Sequence, residues 1–219
     1  ICEYARSLIN GPEITMGRVI ARPYVGTDKD HFTRTANRRD YGLTPTGPTV
    51  VDFLHDAGYD TIAVGKTFDL LCGHGFGESY HNESNSDGMD HVDHVMGEDW
   101  CGLCFTNLVD FDAVYGHRRN PEGDGLALED FDRRLGHVME GMHDDDLLIV
   151  TADHGNDPTY TGTDHTRELV PLLAWSPSMP AGGRDLGLRS TCCDLGATVL
   201  DNFGVAGNGE GTSFLDKLL

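Results

Sequence analysis

Short apolar segments alternate with amphipathic helical segments along most of this chain, and this alternation restricts the fold more than any other feature. Residues 61–65, 102–109 and 147–152 are apolar runs typical of short buried strands. Before the last of them, one apolar face recurs every three or four residues and consists of Leu128, Phe131, Leu135, Val138 and Met142. That spacing predicts a long amphipathic helix. Strands alternating with helices favour an α/β domain with a largely parallel sheet. An α+β domain is the alternative.

The remaining segments give further local predictions. Residues 18–25 are rich in β-branched and aromatic residues and predict a strand, and the polar residues 27–48 predict a loop. A helix is predicted over 50–57 and another over 87–98. The Gly- and Ser-rich residues 72–86 predict a second loop.

Aspartates and histidines follow two of the predicted strands. They are Asp112 and His117 after the strand 102–109, and Asp153, His154 and His165 after the strand 147–152. In open α/β sheets, ligands bind beyond the carboxyl ends of the strands, where both groups fall. Mixed carboxylates and imidazoles suit Zn²⁺, Mn²⁺ or similar ions rather than Ca²⁺, which takes oxygen ligands. An Asp-His pair alone is as often a capped loop, but the combined run favours a metal site.

Charge and cysteine usage restrict the partners and the compartment. The formal net charge is −20, which disfavours binding to phosphate backbones, so we expect no nucleic-acid partner. No apolar run approaches the roughly 20 residues that cross a bilayer, so we expect no membrane partner. Six cysteines are too sparse for a disulfide scaffold and favour a reduced, cytoplasmic protein. The Cys101/Cys104 and Cys192/Cys193 pairs are interpreted as core packing, with a redox or metal role for the first pair as the weaker alternative.

The run 153–168 (DHGNDPTYTGTDHTRE) resembles the signature of phosphopentomutases, members of the alkaline phosphatase superfamily. Four further stretches resemble the same family in the same order, at 17–23, 32–40, 106–119 and 211–215. The resemblance covers nearly the whole chain. It implies an alkaline-phosphatase-like α/β core, with a mostly parallel sheet sandwiched by helices, plus part of a small α/β cap domain.

The resemblance also implies an isomerase that interconverts ribose 1-phosphate and ribose 5-phosphate, and their 2-deoxy forms. In that family two Mn²⁺ ions, or other divalent ions, support phosphoryl transfer through a phosphothreonine, and a sugar bisphosphate acts as activator. Because histidine must be neutral to bind a metal, binding should weaken below about pH 6.

Individual residues carry over to positions in this chain. The resemblance implies one metal bound by Asp112, His117 and His165, and another bound in part by Asp153 and His154. In the cap, which binds the sugar phosphate, Arg18 and Arg34 are the candidates for binding the non-reacting phosphate, because guanidinium groups suit phosphate oxygens. Lys66, after the strand 61–65, is a third candidate for substrate binding. Arg118, Arg119 and Arg167 lie beside the metal ligands and are interpreted as balancing charge.

The resemblance divides the chain into two domains. Residues 1–43 correspond to the end of the cap, and residues 44–219 to most of the core. The family's nucleophilic threonine and one metal-binding aspartate have no counterpart in residues 1–219. We therefore expect a C-terminal portion of the enzyme, inactive alone, with a sheet edge left unpaired. The alternatives are another activity of the superfamily, such as phosphoglycerate mutation or phosphomonoester hydrolysis, and a non-catalytic metal-binding fragment.

Overall fold

The structure is a computed structural model that describes residues 1–9, 16–34 and 39–218. Its helices are α1 (Cys2–Leu8), α2 (Val50–Asp56), α3 (Thr67–Leu70), α4 (Asn85–Met96), α5 (Pro121–Gly141) and α6 (Cys193–Asn202), with a π-helix at Phe111–Gly116 and a 3₁₀ helix at Leu215–Lys217. Its strands are β1 (Arg18–Ala21), β2 (Tyr24–Val25), β3 (Thr33–Arg34), β4 (Arg39–Gly42), β5 (Asp60–Val64), β6 (Glu78–Tyr80), β7 (Gly102–Thr106), β8 (Leu148–Thr151) and β9 (Leu172–Trp175).

A parallel three-stranded sheet in the order β6-β5-β7 forms the centre of the fold. Its middle strand β5 is buried from Thr61 to Val64, and Val64 is in register with Tyr80 of β6 and with Thr106 of β7. Helices α3 and α4 lie between these strands along the chain. The predicted α/β class with a parallel sheet is confirmed. Since the strands are parallel, the segments after β5 and β7 leave from the same edge of the sheet.

The other strand pairs are antiparallel within the described residues. Strand β8 pairs with β9, β1 with β4, and β2 with β3. The sheet is therefore parallel at its three-stranded centre, while the strand that precedes Asp153 belongs to a separate antiparallel pair.

Three of the local predictions need correction. The predicted strand 18–25 is split into β1 and β2, because Pro23 lies between them and has no backbone N–H to donate. The predicted loop 27–48 contains β3 and β4, and the predicted loop 72–86 contains β6. Strand β6 is a short edge strand with mostly exposed side chains. Its backbone pairs with β5, so the strand forms although its sequence has no apolar pattern.

The helices predicted over 50–57 and 87–98 are confirmed as α2 and α4. The Thr49 side chain accepts a hydrogen bond from the Asp52 backbone N–H, and the Asp52 side chain accepts one from the Thr49 backbone, so α2 begins with a capping box. Helix α5 starts at Pro121 and confirms the long amphipathic helix. Only part of its predicted apolar face is covered, because Val138 is buried whereas Leu128 is 51% exposed.

A hydrophobic cluster of Leu54, Val199 and Leu200 joins α2 to α6. Leu103 of β7 and Ile149 of β8 pack against it. The cluster therefore holds the central sheet and the β8–β9 pair together, and these are the two units whose following segments carry the predicted site. No helix in the described ranges has the length and apolar character to cross a membrane.

Candidate metal centre

Asp112 and His117 lie at the two ends of the π-helix that follows β7. The His117 backbone N–H donates to the Asp112 carbonyl at 2.9 Å, the i to i+5 bond that defines this helix type. The His117 Nε2 atom lies 3.4 Å from Asp112 Oδ1. Short π-helical turns occur frequently at functional sites, and here the turn places two predicted ligands side by side.

His165 reaches the same aspartate from the loop that follows β8. A backbone bridge between Gly155 and Thr166 closes this loop, and His165 Nε2 lies 3.3 Å from Asp112 Oδ1. One ligand atom from each of Asp112, His117 and His165 lies within 4.8 Å of the other two. The structure thus brings together the three residues predicted to share one metal.

Hydrogen bonds at the rear of this cluster fix the orientation of its side chains. His117 Nδ1 lies 2.6 Å from the Thr163 carbonyl oxygen, which can only accept, so Nδ1 carries the proton. In the neutral imidazole, Nε2 then presents its lone pair toward Asp112. Asn156 Nδ2 donates to Asp112 Oδ1 at 2.6 Å. The Nε2 atoms of His117 and His165 and a carboxylate oxygen of Asp112 converge here, a set of ligand atoms that fits a divalent cation.

Asn156 approaches the π-helix closely because Gly116 has no side chain. A Cβ atom at Gly116 would lie 2.6 Å from the Asn156 side chain. Asn156 is not among the residues that the sequence predicts for the site, although it lies two residues from His154. An amide beside two predicted ligands is a weak signal, because its contact with Asp112 depends on packing between distant segments.

The other two predicted ligands lie next to this cluster. The His154 ring stacks on the His165 ring, with centroids 3.7 Å apart and planes inclined by 16°. Asp153 Oδ2 lies 3.6 Å from His154 Nε2, and the Asp153 side chain is 70% exposed. All five predicted metal residues therefore belong to one contiguous group, with Asp153 at its exposed margin.

The predicted phosphate-binding residues are more dispersed. Lys66 follows β5 and immediately precedes α3, at the sheet edge from which the Asp112 segment also leaves. Arg18 begins β1, in the separate antiparallel pair with β4. Arg34 ends β3, and its side chain lies outside the described part of the structure.

The cysteine predictions are mostly wrong. Cys101, Cys192 and Cys193 are exposed rather than packed in the core, and the described cysteines are free thiols. Cys101 precedes β7, and Cys192 and Cys193 lie at the start of α6, where apolar neighbours in sequence do not ensure burial. Of these four cysteines only Cys104 is partly buried, and this burial raises the pKa of its thiol although the contact with the Thr106 hydroxyl lowers it.

Comparison with known proteins agrees with this geometry. Residues 48–207 match the family described as the metalloenzyme superfamily, and the chain belongs to that superfamily. Together with the cluster of Asp112, His117 and His165, this membership indicates a divalent-metal protein.

Curated relatives give a narrower comparison. The chain is 72% identical over 218 residues to a phosphopentomutase of Levilactobacillus brevis and 64% identical over 218 residues to one of Limosilactobacillus reuteri. Each alignment covers 100% of this chain and 55% of the relative, so the chain spans about half of their length. The resemblance to phosphopentomutases is confirmed.

A solved structure of Leishmania mexicana phosphoglycerate mutase at low cobalt concentration resembles the chain with a TM-score of 0.60 at 16% identity. The match covers 74% of this chain and 38% of that one. At this identity the likeness concerns the fold alone, and it confirms the predicted alkaline-phosphatase-like α/β core.

Proposed function

We propose that this chain is the metal-binding portion of a phosphopentomutase, an isomerase of pentose phosphate metabolism. Its substrates are ribose 1-phosphate, ribose 5-phosphate and their 2-deoxy forms. The observation that carries the proposal is the convergence of Asp112, His117 and His165, in a chain 72% identical over its whole length to a phosphopentomutase. The proposed compartment is the cytoplasm.

The proposed centre holds two Mn²⁺ ions. Asp112, His117 and His165 would hold one of them, and Asp153 and His154 would contribute to the other. When bound there, divalent ions would supply Lewis-acid stabilisation of a phosphoryl oxygen and of an attacking oxygen. The stacking of His154 on His165 supports neighbouring ion positions, because it brings the two ligand sets into contact.

The protein's own groups orient this centre and the substrate. The Thr163 carbonyl keeps the proton of His117 on Nδ1, and Asn156 fixes one carboxylate oxygen of Asp112. Lys66, at the same sheet edge, would bind a substrate phosphate through its ammonium group. Arg18 and Arg34, in the proposed cap of residues 1–43, would hold the phosphate that does not react. Residues 44–219 would form the core.

A threonine outside residues 1–219 would carry the phosphoryl group, and a sugar bisphosphate would keep that threonine phosphorylated. Catalysis by a nucleophile and metals depends on all parts together, so partial sites do not give proportional activity. We therefore expect this chain alone to bind divalent ions without turnover.

A substrate panel tests the proposed activity. A full-length enzyme containing this chain is assayed with Mn²⁺ against ribose 5-phosphate, 3-phosphoglycerate and a small aryl phosphate. The proposal predicts isomerisation of ribose 5-phosphate in clear preference to the other two. Preference for 3-phosphoglycerate, or hydrolysis of the aryl phosphate alone, would replace it with another activity of the superfamily. Full mutase turnover by the purified 219-residue chain would contradict the hypothesis that this chain is a portion of the enzyme and is inactive alone.

A further inference from the structure

The Arg119 side chain makes five hydrogen bonds, to the π-helix and to the loop 155–166, and three of them share its Nη1 atom. Its side chain donates to the carbonyl oxygens of Gly116 (2.9 Å), Asp157 (2.8 Å), Gly162 (2.6 Å) and Asp164 (2.7 Å), and to Asn156 Oδ1 (2.7 Å). The Arg119 backbone adopts a left-handed conformation, with φ of 52°, which is uncommon for a residue with a side chain. The five hydrogen bonds of its side chain hold Arg119 in this conformation.

None of these acceptors is a carboxylate. Four are backbone carbonyls and one is a side-chain amide, so the hydrogen bonds of Arg119 do not neutralise an acidic ligand. This corrects the interpretation that Arg119 only balances charge. A planar guanidinium offers five N–H donors in a fixed arrangement, which suits the capture of several carbonyls from one loop.

The residues that accept these hydrogen bonds are neighbours in sequence of predicted metal ligands or of residues that orient them. The Asp164 carbonyl immediately precedes His165, and the Gly162 carbonyl precedes Thr163, whose own carbonyl accepts from His117. Asn156 accepts from Arg119 through Oδ1 and donates to Asp112 through Nδ2. Arg119 is thus linked to all three residues of the cluster without being a ligand itself.

We propose that Arg119 is a positioning residue that fastens the loop 155–166 to the π-helix and sets the separation of Asp112 from His165 before any ion binds. The metal-binding consequence rests on the proposed function of the Asp112 cluster, whereas the fastening of the loop does not. Because its bonds require a fork of donors, Arg119→Lys keeps the positive charge and loses the positioning.

The test compares Arg119→Lys and Arg119→Ala with Arg118→Ala. Arg118 is the matched control: it is exposed and has no hydrogen-bond or ion-pair partner among the residues that the structure describes, so it does not balance the charge of a ligand by direct contact. Amide hydrogen exchange is measured first in metal-free protein. The Asp157 amide donates to the Thr166 hydroxyl and the Thr166 amide donates to the Gly155 carbonyl, so both report closure of the loop.

We expect both Arg119 variants to exchange these two amides at least about tenfold faster, with the β5 amides of Ile62 and Val64 unchanged. Guanidinium ions at millimolar concentration should partly restore protection in Arg119→Ala alone. Unchanged exchange in the loop would overturn the proposal. Equal acceleration in the loop and in β5 would also overturn it, since Arg119 would then support the whole fold.

Calorimetric titration with Mn²⁺ gives the second readout. Both Arg119 variants should bind about 10- to 100-fold more weakly, the usual cost of losing a group that orients metal ligands, with Arg118→Ala unchanged. Wild-type affinity in Arg119→Lys would overturn the positioning role, because charge alone would then suffice. If the unaltered chain binds no divalent ion, the metal-centre proposal fails, and the exchange experiment still decides whether Arg119 fastens the loop.

Discussion

Leu54→Ala tests the hydrophobic cluster that holds the two halves of the site together. The Leu54 side chain is fully buried against Val199 and Leu200, and the same cluster contacts Leu103 of β7 and Ile149 of β8. The substitution removes three carbon atoms, which at about 0.8 kcal/mol per buried methylene gives about 2.4 kcal/mol of lost transfer free energy. The cavity left behind raises the expected loss to about 3–4 kcal/mol.

This loss is a large share of the roughly 5–15 kcal/mol by which a typical domain is stable. It is measured as the change in the free energy of unfolding from urea titrations, with the slope against denaturant checked for constancy. Leu128→Ala is the matched control, because it removes the same atoms from a side chain that is 51% exposed on α5. We expect the control to change stability by less than about 1 kcal/mol. Equal losses in the two variants would refute the assignment of Leu54 to the structural junction.

Further outcomes follow from single residues. Hydrogen bonds from the Thr159 hydroxyl and backbone lower the pKa of Asp157, so Thr159→Ala should raise that pKa in NMR titrations. Because the pKa of Asp157 is lower in the folded state than in the unfolded state, its contribution to stability is present above the unfolded-state pKa and is lost as pH falls through the folded-state pKa. Thr159→Ala should therefore lower the free energy of unfolding at neutral pH and change it little in strong acid. A thiol reagent should modify exposed Cys101 before half-buried Cys104, and equal rates would contradict the desolvation that raises the pKa of Cys104. In the full-length enzyme, Arg18→Ala should raise KM for ribose 5-phosphate about tenfold and leave the hydrolysis of a small aryl phosphate unchanged. Equal losses of activity on the two substrates would mean that Arg18 supports the fold.

The parts of the fold that were predictable from sequence are those with an apolar pattern. Strand β5 and helix α2 carry buried residues at the expected spacing, and both are present near the predicted bounds. Strand β6 lacks such a pattern, since its backbone pairing with β5 holds an exposed edge. Leu128 fits the helical spacing and is still exposed, because periodicity predicts a face but not what covers it.

The site shows a similar division. The convergence of Asp112 with His165 was predictable from their positions after strands, although β8 pairs with β9 rather than with the central sheet. Packing of Ile149 and Leu103 on one cluster brings the two strand ends together. The role of Arg119 was not predictable, since nearly all of its acceptors are backbone carbonyls, which leave no trace in the residue types.

The measurement that tests the central claim most directly is Mn²⁺ titration of this chain and of Asp112→Asn. Asp145→Asn serves as control, since it removes the same charge at an exposed position. We predict that Asp112→Asn weakens binding at one site by more than about 100-fold, beyond the cost of losing an outer-shell partner, while the fold and the control's affinity are unchanged. Unchanged affinity and stoichiometry in Asp112→Asn would remove Asp112 from the metal site and contradict the account.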